Sequence, residues 1–103
     1  METQTIFLKM ALVQMGFVEE RDGAAISEIC DEYRQMVERV VTKTRMTRSK
    51  VEEMLLQSVT SSKLKVESMG QVKGMTMRVR ASIITAANTI SARYPSETEP
   101  IKT

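Results

Sequence analysis

Residues 24–43, AAISEICDEYRQMVERVVTK, carry the clearest helical pattern in the chain and decide its fold class. Apolar side chains recur there at spacings of three and four, at Ile26, Ile29, Cys30, Tyr33, Met36, Val37, Val40 and Val41. The opposite face of the same helix is expected to be solvated and carries Glu28, Asp31, Glu32, Gln35 and Glu38. This period is typical of an amphipathic α-helix with a single apolar stripe.

The residues after this segment allow two interpretations. The apolar pattern resumes at Val51, Met54, Leu55 and Val59. Ser49 followed by Glu52 is a capping-box signature, which would start a second helix. However, Val40 and Val51 lie eleven residues apart, about three helical turns, so one continuous helix would keep its stripe in phase. Because no Gly or Pro interrupts residues 24–69, the sequence favours one long helix to about residue 62.

Helical patterns also flank this region. Residues 5–18 are apolar nearly all round and predict a short buried helix, and Asp22-Gly23 after it predicts a turn. Residues 63–75 include Gly70 and Gly74, have no clear period, and predict a connection. Residues 75–83 alternate as a strand would, but residues 75–94 also form one helical face of Val79, Ile83, Ala86, Ala87, Ile90 and Tyr94. A lone strand would have no partner, so helix is favoured up to Pro95.

The expected fold class is therefore all-α, with a short N-terminal helix, one long amphipathic helix and a C-terminal helix. We expect a single domain at residues 1–94 and a flexible tail at 95–103. The 103 residues include nine Met but only two Phe, two Tyr and no Trp, and such a thin core is often completed by a second copy of the chain. The sequence predicts a helical bundle formed by a homodimer, like a coiled coil. Its expected interface is the stripe Ile26, Tyr33, Val37, Val40, Val51 and Leu55.

The chain lacks the residues that most catalytic and metal sites need. It has no histidine and one cysteine, Cys30, so the usual general base, the usual zinc ligands and an intramolecular disulfide are all missing. We therefore expect no enzyme activity, no metal and no cofactor, and we expect Cys30 to be a buried small hydrophobe. The apolar segment near the N-terminus is too short to span a bilayer, which predicts a soluble, cytoplasmic protein without a transmembrane segment.

Charge is distributed unevenly along the chain. Residues 1–42 hold eight acids and four bases, whereas residues 43–93 hold ten bases and three acids. Such a split suggests a polyanion as partner, although pairing of acids with bases inside a bundle would explain it equally well. The bases lie on both borders of the apolar stripe, with Arg39, Lys43 and Lys50 on one and Arg34, Arg45 and Arg48 on the other. In a symmetric dimer they would form a flat positive surface, with Thr44, Thr47 and Ser49 as hydroxyl donors. The expected nucleic-acid contacts are Arg39, Lys43, Arg45, Thr47, Arg48 and Lys50. Few aromatic residues accompany them, which favours a duplex over a stacked single strand.

The segment RMTRSKVEEMLL at residues 45–56, on a long helix that follows a short apolar helix and a turn, resembles the small nodavirus suppressors of RNA silencing. The similarity covers about residues 6–60. It implies a helical homodimer that binds double-stranded RNA along one face of a four-helix bundle without reading sequence. It also implies that Lys43, Arg45, Arg48 and Lys50 contact phosphate, and that the protein acts in the host cytoplasm if it is viral.

Two other functions remain open at this point. A protein-binding adaptor, chaperone or anti-activator would use a Met-rich groove for a partner helix. The methionines available for such a groove are Met36, Met46, Met54, Met75 and Met77. Association with a membrane surface through the first helix and the basic face is a third possibility.

Overall fold

The computed structural model describes residues 3–61 and 72–94. These residues form four α-helices, which are α1 (Thr3–Gln14), α2 (Gly23–Lys43), α3 (Arg48–Thr60) and α4 (Val72–Arg93). No strand occurs among them, so the all-α prediction is confirmed. The tail predicted at 95–103 and the first part of the connection predicted at 63–75 lie outside the described residues. Residues 72–75 are helical, so the end of that predicted connection was wrong.

The prediction of one unbroken helix from residue 24 to about 62 is wrong, because the chain turns at residues 44–47. Two threonines explain the break. The Thr44 hydroxyl donates to the Val40 carbonyl (2.8 Å) and accepts from the Met46 N–H (3.1 Å), which ends α2. The Thr47 hydroxyl then accepts from the Lys50 N–H (3.2 Å) and caps α3. The interpretation in which a separate helix begins after the threonines was therefore the right one, although the cap of that helix is Thr47 and not Ser49.

Helices α2 and α3 form an antiparallel hairpin. The Tyr33 hydroxyl donates to the Glu52 carbonyl oxygen (3.0 Å). Glu38, later in α2, forms an ion pair with Arg48, earlier in α3. Since residues later in α2 meet residues earlier in α3, the two helices run in opposite directions. A four-residue turn is long enough for such a pair.

The apolar stripe of α2 is buried inside a single chain, against α3 and α4. Four of the six residues expected at a dimer interface belong to this stripe, and the other two belong to α3. Ile26, Tyr33, Val37, Val40, Val51 and Leu55 are at most 8% exposed. The fold back at residues 44–47 places the α3 stripe against the α2 stripe, so the two halves cover each other. Within residues 3–61 and 72–94, this stripe is therefore covered without a second copy.

Helix α1 ends in a tight C-terminal motif that returns the chain to the core. Gly16 has a positive φ of 78°, a conformation that glycine adopts without a Cβ clash. The Phe17 N–H donates to the Leu12 carbonyl (2.9 Å) and the Gly16 N–H to the Val13 carbonyl (3.1 Å), the hydrogen bonds of a Schellman motif. Phe17 is thereby buried beside the inner face of α1, at 2% exposure. Asp22 then caps α2, so Gly23, expected in a turn, is its first helical residue.

The prediction that α1 is buried holds for only one of its faces. Leu8 and Leu12 are fully buried. Ile6, Phe7 and Met10 point away from the core and are 42%, 49% and 50% exposed. Although α1 carries apolar residues on nearly all of its sides, the bundle covers only the side that faces α2 and α3. The outer face of α1 is an apolar surface that the rest of the described chain leaves open.

Helix α4 confirms the choice of helix over strand for residues 75–94. Its buried side chains repeat at spacings of three and four and are Met75, Val79, Ile83, Ala87 and Ile90. One charged contact joins it to α2, since Arg80 donates to the Glu32 carboxylate from Nε (3.1 Å) and Nη2 (3.0 Å). Glu32 was expected on the solvated face of α2, but it is only 9% exposed because α4 lies across it. This contact fixes the register between the two helices.

Cys30 is buried at 5% exposure, as the sequence predicts. Its burial raises the pKa of the thiol, while the nearby Arg34 guanidinium lowers it by a smaller amount. The thiol form therefore predominates near neutral pH, where Cys30 acts as a small apolar side chain.

Candidate nucleic-acid interface

The turn between α2 and α3 gathers the predicted basic residues at one end of the hairpin. We name this group the cationic corner, and it consists of Arg39, Lys43, Arg45, Arg48 and Lys50. All five are exposed, and no acidic residue lies between positions 39 and 50. On one straight helix these residues would span about 16 Å. The hairpin instead places them on two helix ends and the turn that joins them, which makes the positive charge more compact.

Intrachain pairing engages part of the corner. Arg48 forms an ion pair with Glu38, and Lys50 Nζ lies 3.6 Å from the Glu53 carboxylate. Both pairs are solvent-exposed, with side-chain exposures between 48% and 61%, and such pairs contribute little to stability. They also open readily when another anion competes. The alternative explanation of the sequence, that the bases pair with acids on a neighbouring helix, therefore holds for Arg48, whereas Lys50 pairs with an acid of its own helix.

The other three corner bases remain without an intrachain carboxylate. Within residues 3–61 and 72–94, no ion pair joins Arg39, Lys43 or Arg45 to an acid. Lys43 is in the last turn of α2, where the partial negative charge of the helix C-terminus favours a cation. Arg45 is in the turn itself. These three side chains carry the uncompensated positive charge of the corner.

The hydroxyl groups near the corner have structural roles that the sequence did not assign. Thr44 is buried at 6% exposure, and its hydroxyl is hydrogen-bonded on both sides, so it is not available to a phosphate. Thr47, predicted as a nucleic-acid contact, is exposed, but its oxygen accepts from the Lys50 N–H. Its O–H remains geometrically able to donate outward. Ser49 is exposed in the first turn of α3.

The level surface expected along one long helix does not exist. Arg34, expected on the same basic border as Arg45 and Arg48, lies in the middle of α2 and donates to Asp31 (2.9 Å). Because α3 folds back, the two borders of the predicted stripe do not continue past residue 43. The structure keeps the predicted residues 39–50 together, but as a corner and not as a flat face.

The Met-rich groove of the alternative function also has little open surface. Met36 and Met75 are buried at 8% and 0% exposure. Met46 and Met54 are half-buried against the core. Met77 is 65% exposed on α4, and it does not form a groove alone. These methionines mainly fill the core.

The acidic residues of α2 surround a shallow hollow lined by Glu28, Asp31, Glu32, Gln35 and Arg80. Arg80 compensates the most buried of these carboxylates. In the part of the chain that the structure describes, no group of three or more acidic or cysteine side chains could hold a metal ion. The hollow contains the ion pair that joins α2 to α4.

The sequence interpretation proposed the first helix only for contact with a membrane surface and did not predict that the outer face of α1 would be apolar and exposed. A signal for it was present, since an externally located helix is expected to have one polar face and this one does not. None of the four helices combines the length and the apolar character needed to cross a membrane, as far as the described residues extend. Comparison with known proteins finds no matching family model, no similar curated protein and no similar solved structure.

Proposed function

We propose that this protein binds nucleic acid, duplex RNA in preference, through phosphate contacts made by the cationic corner. The observation that carries the proposal is the set of exposed bases at residues 39–50, three of which have no carboxylate partner in the described chain. Exposed arginine and lysine side chains are the usual ligands of backbone phosphates. The proposal keeps the residues that the sequence indicates and replaces the flat helical face by a compact corner.

The residue types of the corner favour binding that is independent of base sequence. No aromatic residue lies between positions 39 and 50, so a base from a single strand would find no ring on which to stack. Phosphate contacts fix position and orientation but carry no base information. A duplex presents two phosphate backbones to such a corner, and the 2′-hydroxyl groups of RNA add hydrogen-bonding partners for Thr47 and Ser49.

The test is a titration of duplex RNA binding against salt concentration. Each phosphate contact that is lost should lower the slope of log K against log salt by about 1. The variant Lys43→Ala/Arg45→Ala should therefore bind more weakly at low salt and show a slope shallower by about 2. Its stability should remain close to that of the unaltered chain, because both side chains are exposed and unpaired.

A matched control removes two exposed bases that lie elsewhere. Arg21 is in the turn before α2, and Arg78 is on α4 near Arg80. Helix α2 is about 30 Å long, so Arg21 is far from the corner. The variant Arg21→Ala/Arg78→Ala has the same net charge as the corner variant but should keep the slope. Equal losses in both variants, or no measurable binding of the unaltered chain at low salt, would reject the corner as the binding site.

A further inference from the structure

The outer face of α1 presents an apolar patch that no described part of the chain covers. We name Ile6, Phe7 and Met10 the α1 patch, and their exposures lie between 42% and 50%. They are neighbours on the helix at spacings of three and four. Single exposed hydrophobic residues are common on protein surfaces, but a contiguous group on an externally located helix is typical of an interaction site.

The rim of the patch carries one charge of each sign. Lys9 and Glu20 line the same shallow hollow beside Met10, together with Val13 and Gln14. Both charged side chains are exposed, and within residues 3–61 and 72–94 neither forms an ion pair. A helix 12 residues long extends about 18 Å, enough for one helix to cross another.

These features favour one particular occupant. We infer that the α1 patch binds the same patch of a second copy of this chain. In an isologous two-fold contact, a residue pair formed between the two copies occurs twice, once in each direction. An apolar patch is then covered by an apolar patch, and the Lys9 of each copy can meet the Glu20 of the other. A surface with an unpaired acid and an unpaired base beside one apolar centre is complementary to itself.

The same rim argues against an anionic occupant. Glu19 and Glu20 border the hollows at the C-terminal end of α1, and Arg21 already pairs with Glu19 (3.2 Å). Carboxylates at that end would repel anionic lipid or nucleic acid. The patch is also separate from the cationic corner, since it lies on α1, and α1 contributes no residue to the corner. The self-association is therefore independent of the proposed nucleic-acid binding.

The test is the molar mass of the protein alone in solution, measured by light scattering or sedimentation over a range of concentrations. The unaltered chain should approach twice its mass of 11.6 kDa as concentration rises. Met10→Glu should remain at the mass of one chain, because the new carboxylates would be buried at the contact. Met77→Glu places the same charge at another exposed methionine and should still associate.

Charge reversal tests the pairing of Lys9 with Glu20 and does not require any change in the apolar patch. Lys9→Glu and Glu20→Lys should each weaken association, and the double variant Lys9→Glu/Glu20→Lys should restore it. All variants should retain the helical circular dichroism signal, since the altered side chains are exposed. A single-chain mass for the unaltered protein at every concentration would overturn the inference. So would unchanged association of Met10→Glu, no rescue in the double variant, or binding of a monomer to neutral lipid vesicles that depends on Met10.

Discussion

The middle of the α2–α3 hairpin and its cationic corner use charged residues in opposite ways. In the middle, the buried Glu32 pairs with the partly exposed Arg80 of α4, and the exposed Arg34 pairs with Asp31. At the corner, Arg39, Lys43 and Arg45 have no carboxylate partner in the described residues. The charges named in the middle are thus paired, whereas three of the five corner bases are left uncompensated where the chain turns. If this contrast reflects function, changes in the middle should alter stability, and changes at the corner should alter binding.

The largest effect is expected from the apolar middle of the hairpin. Leu55 is fully buried between the helices, so Leu55→Ala should lower the free energy of unfolding by about 2–5 kcal/mol. Chemical denaturation followed by circular dichroism measures this loss. Leu56 is only half-buried, and Leu56→Ala should cost less. A smaller cost at Leu55 than at Leu56 would contradict the packing described for α3.

The second effect concerns the charged middle. Arg80→Ala would leave the Glu32 carboxylate without its partner at a side-chain exposure of 10%. We expect a loss on the order of 1–3 kcal/mol in unfolding free energy. The lower part of this range is favoured because the Arg80 side chain is itself 36% exposed.

Two comparisons establish that this loss comes from the ion pair. Arg78→Ala removes an exposed base from the same helix and should change stability by less than about 0.5 kcal/mol. Glu32→Gln in the Arg80→Ala background should recover part of the loss, because an amide costs less to bury than a carboxylate. A double variant no more stable than Arg80→Ala would show that the loss of stability in Arg80→Ala does not come from leaving the Glu32 carboxylate unpaired.

The third effect lies at the boundary between the two regions, where α3 begins. Thr47→Ala removes the side chain that accepts from the Lys50 N–H and should cost about 1 kcal/mol in unfolding free energy. Ser49→Ala removes the cap that the sequence pattern suggested and should have almost no effect. Thermal unfolding of the two variants separates these possibilities. A larger loss of unfolding free energy in Ser49→Ala than in Thr47→Ala would indicate that Ser49 caps α3. It would contradict the positions described for the start of α3 and the end of α2.

The break in the long helix shows what sequence periodicity cannot decide. The spacing of eleven residues between Val40 and Val51 keeps the apolar stripe in phase along a straight helix. The same spacing is equally compatible with a hairpin whose two apolar stripes face each other. The turn contains no Gly or Pro to mark it. What ends α2 is a pair of hydrogen bonds at the Thr44 hydroxyl, which donates to the Val40 carbonyl and accepts from the Met46 N–H. A threonine can make or omit such bonds depending on its tertiary surroundings.

The helical class, the α4 face from Val79 to Ile90 and the burial of Cys30 were predictable, because each depends on a long local pattern. Tyr94, predicted on the same face, lies beyond the end of α4 and is exposed. The exposure of Phe7 and the burial of Glu32 were not predictable. Both depend on which helices pack against each other, and the sequence of a single helix does not determine this long-range property. The cationic corner was predictable in its residues and not in its shape, since the residue types follow from sequence but their geometry follows from the turn.

The smallest expected effect tests the border of the corner directly. Glu38 holds Arg48 in an exposed ion pair, so a phosphate must compete with it for the guanidinium. Glu38→Gln removes this competitor. Exposed pairs are worth about 0.2–1 kcal/mol, so the affinity for duplex RNA should rise by about 1.4- to 5-fold. Fluorescence anisotropy at constant salt has the precision to measure such a change.

The matched control is Glu28→Gln, which makes the same change in net charge at an exposed position near the start of α2. It should raise affinity less than Glu38→Gln, because it frees no base at the corner and acts only through long-range attraction that salt screens. The difference between the two variants should disappear when Arg48 is replaced by Ala in both. If the difference persisted without Arg48, Glu38 would act through the overall electrostatic potential of the protein and not through its ion pair with Arg48. That ion pair would then not mark the border between the paired middle and the cationic corner.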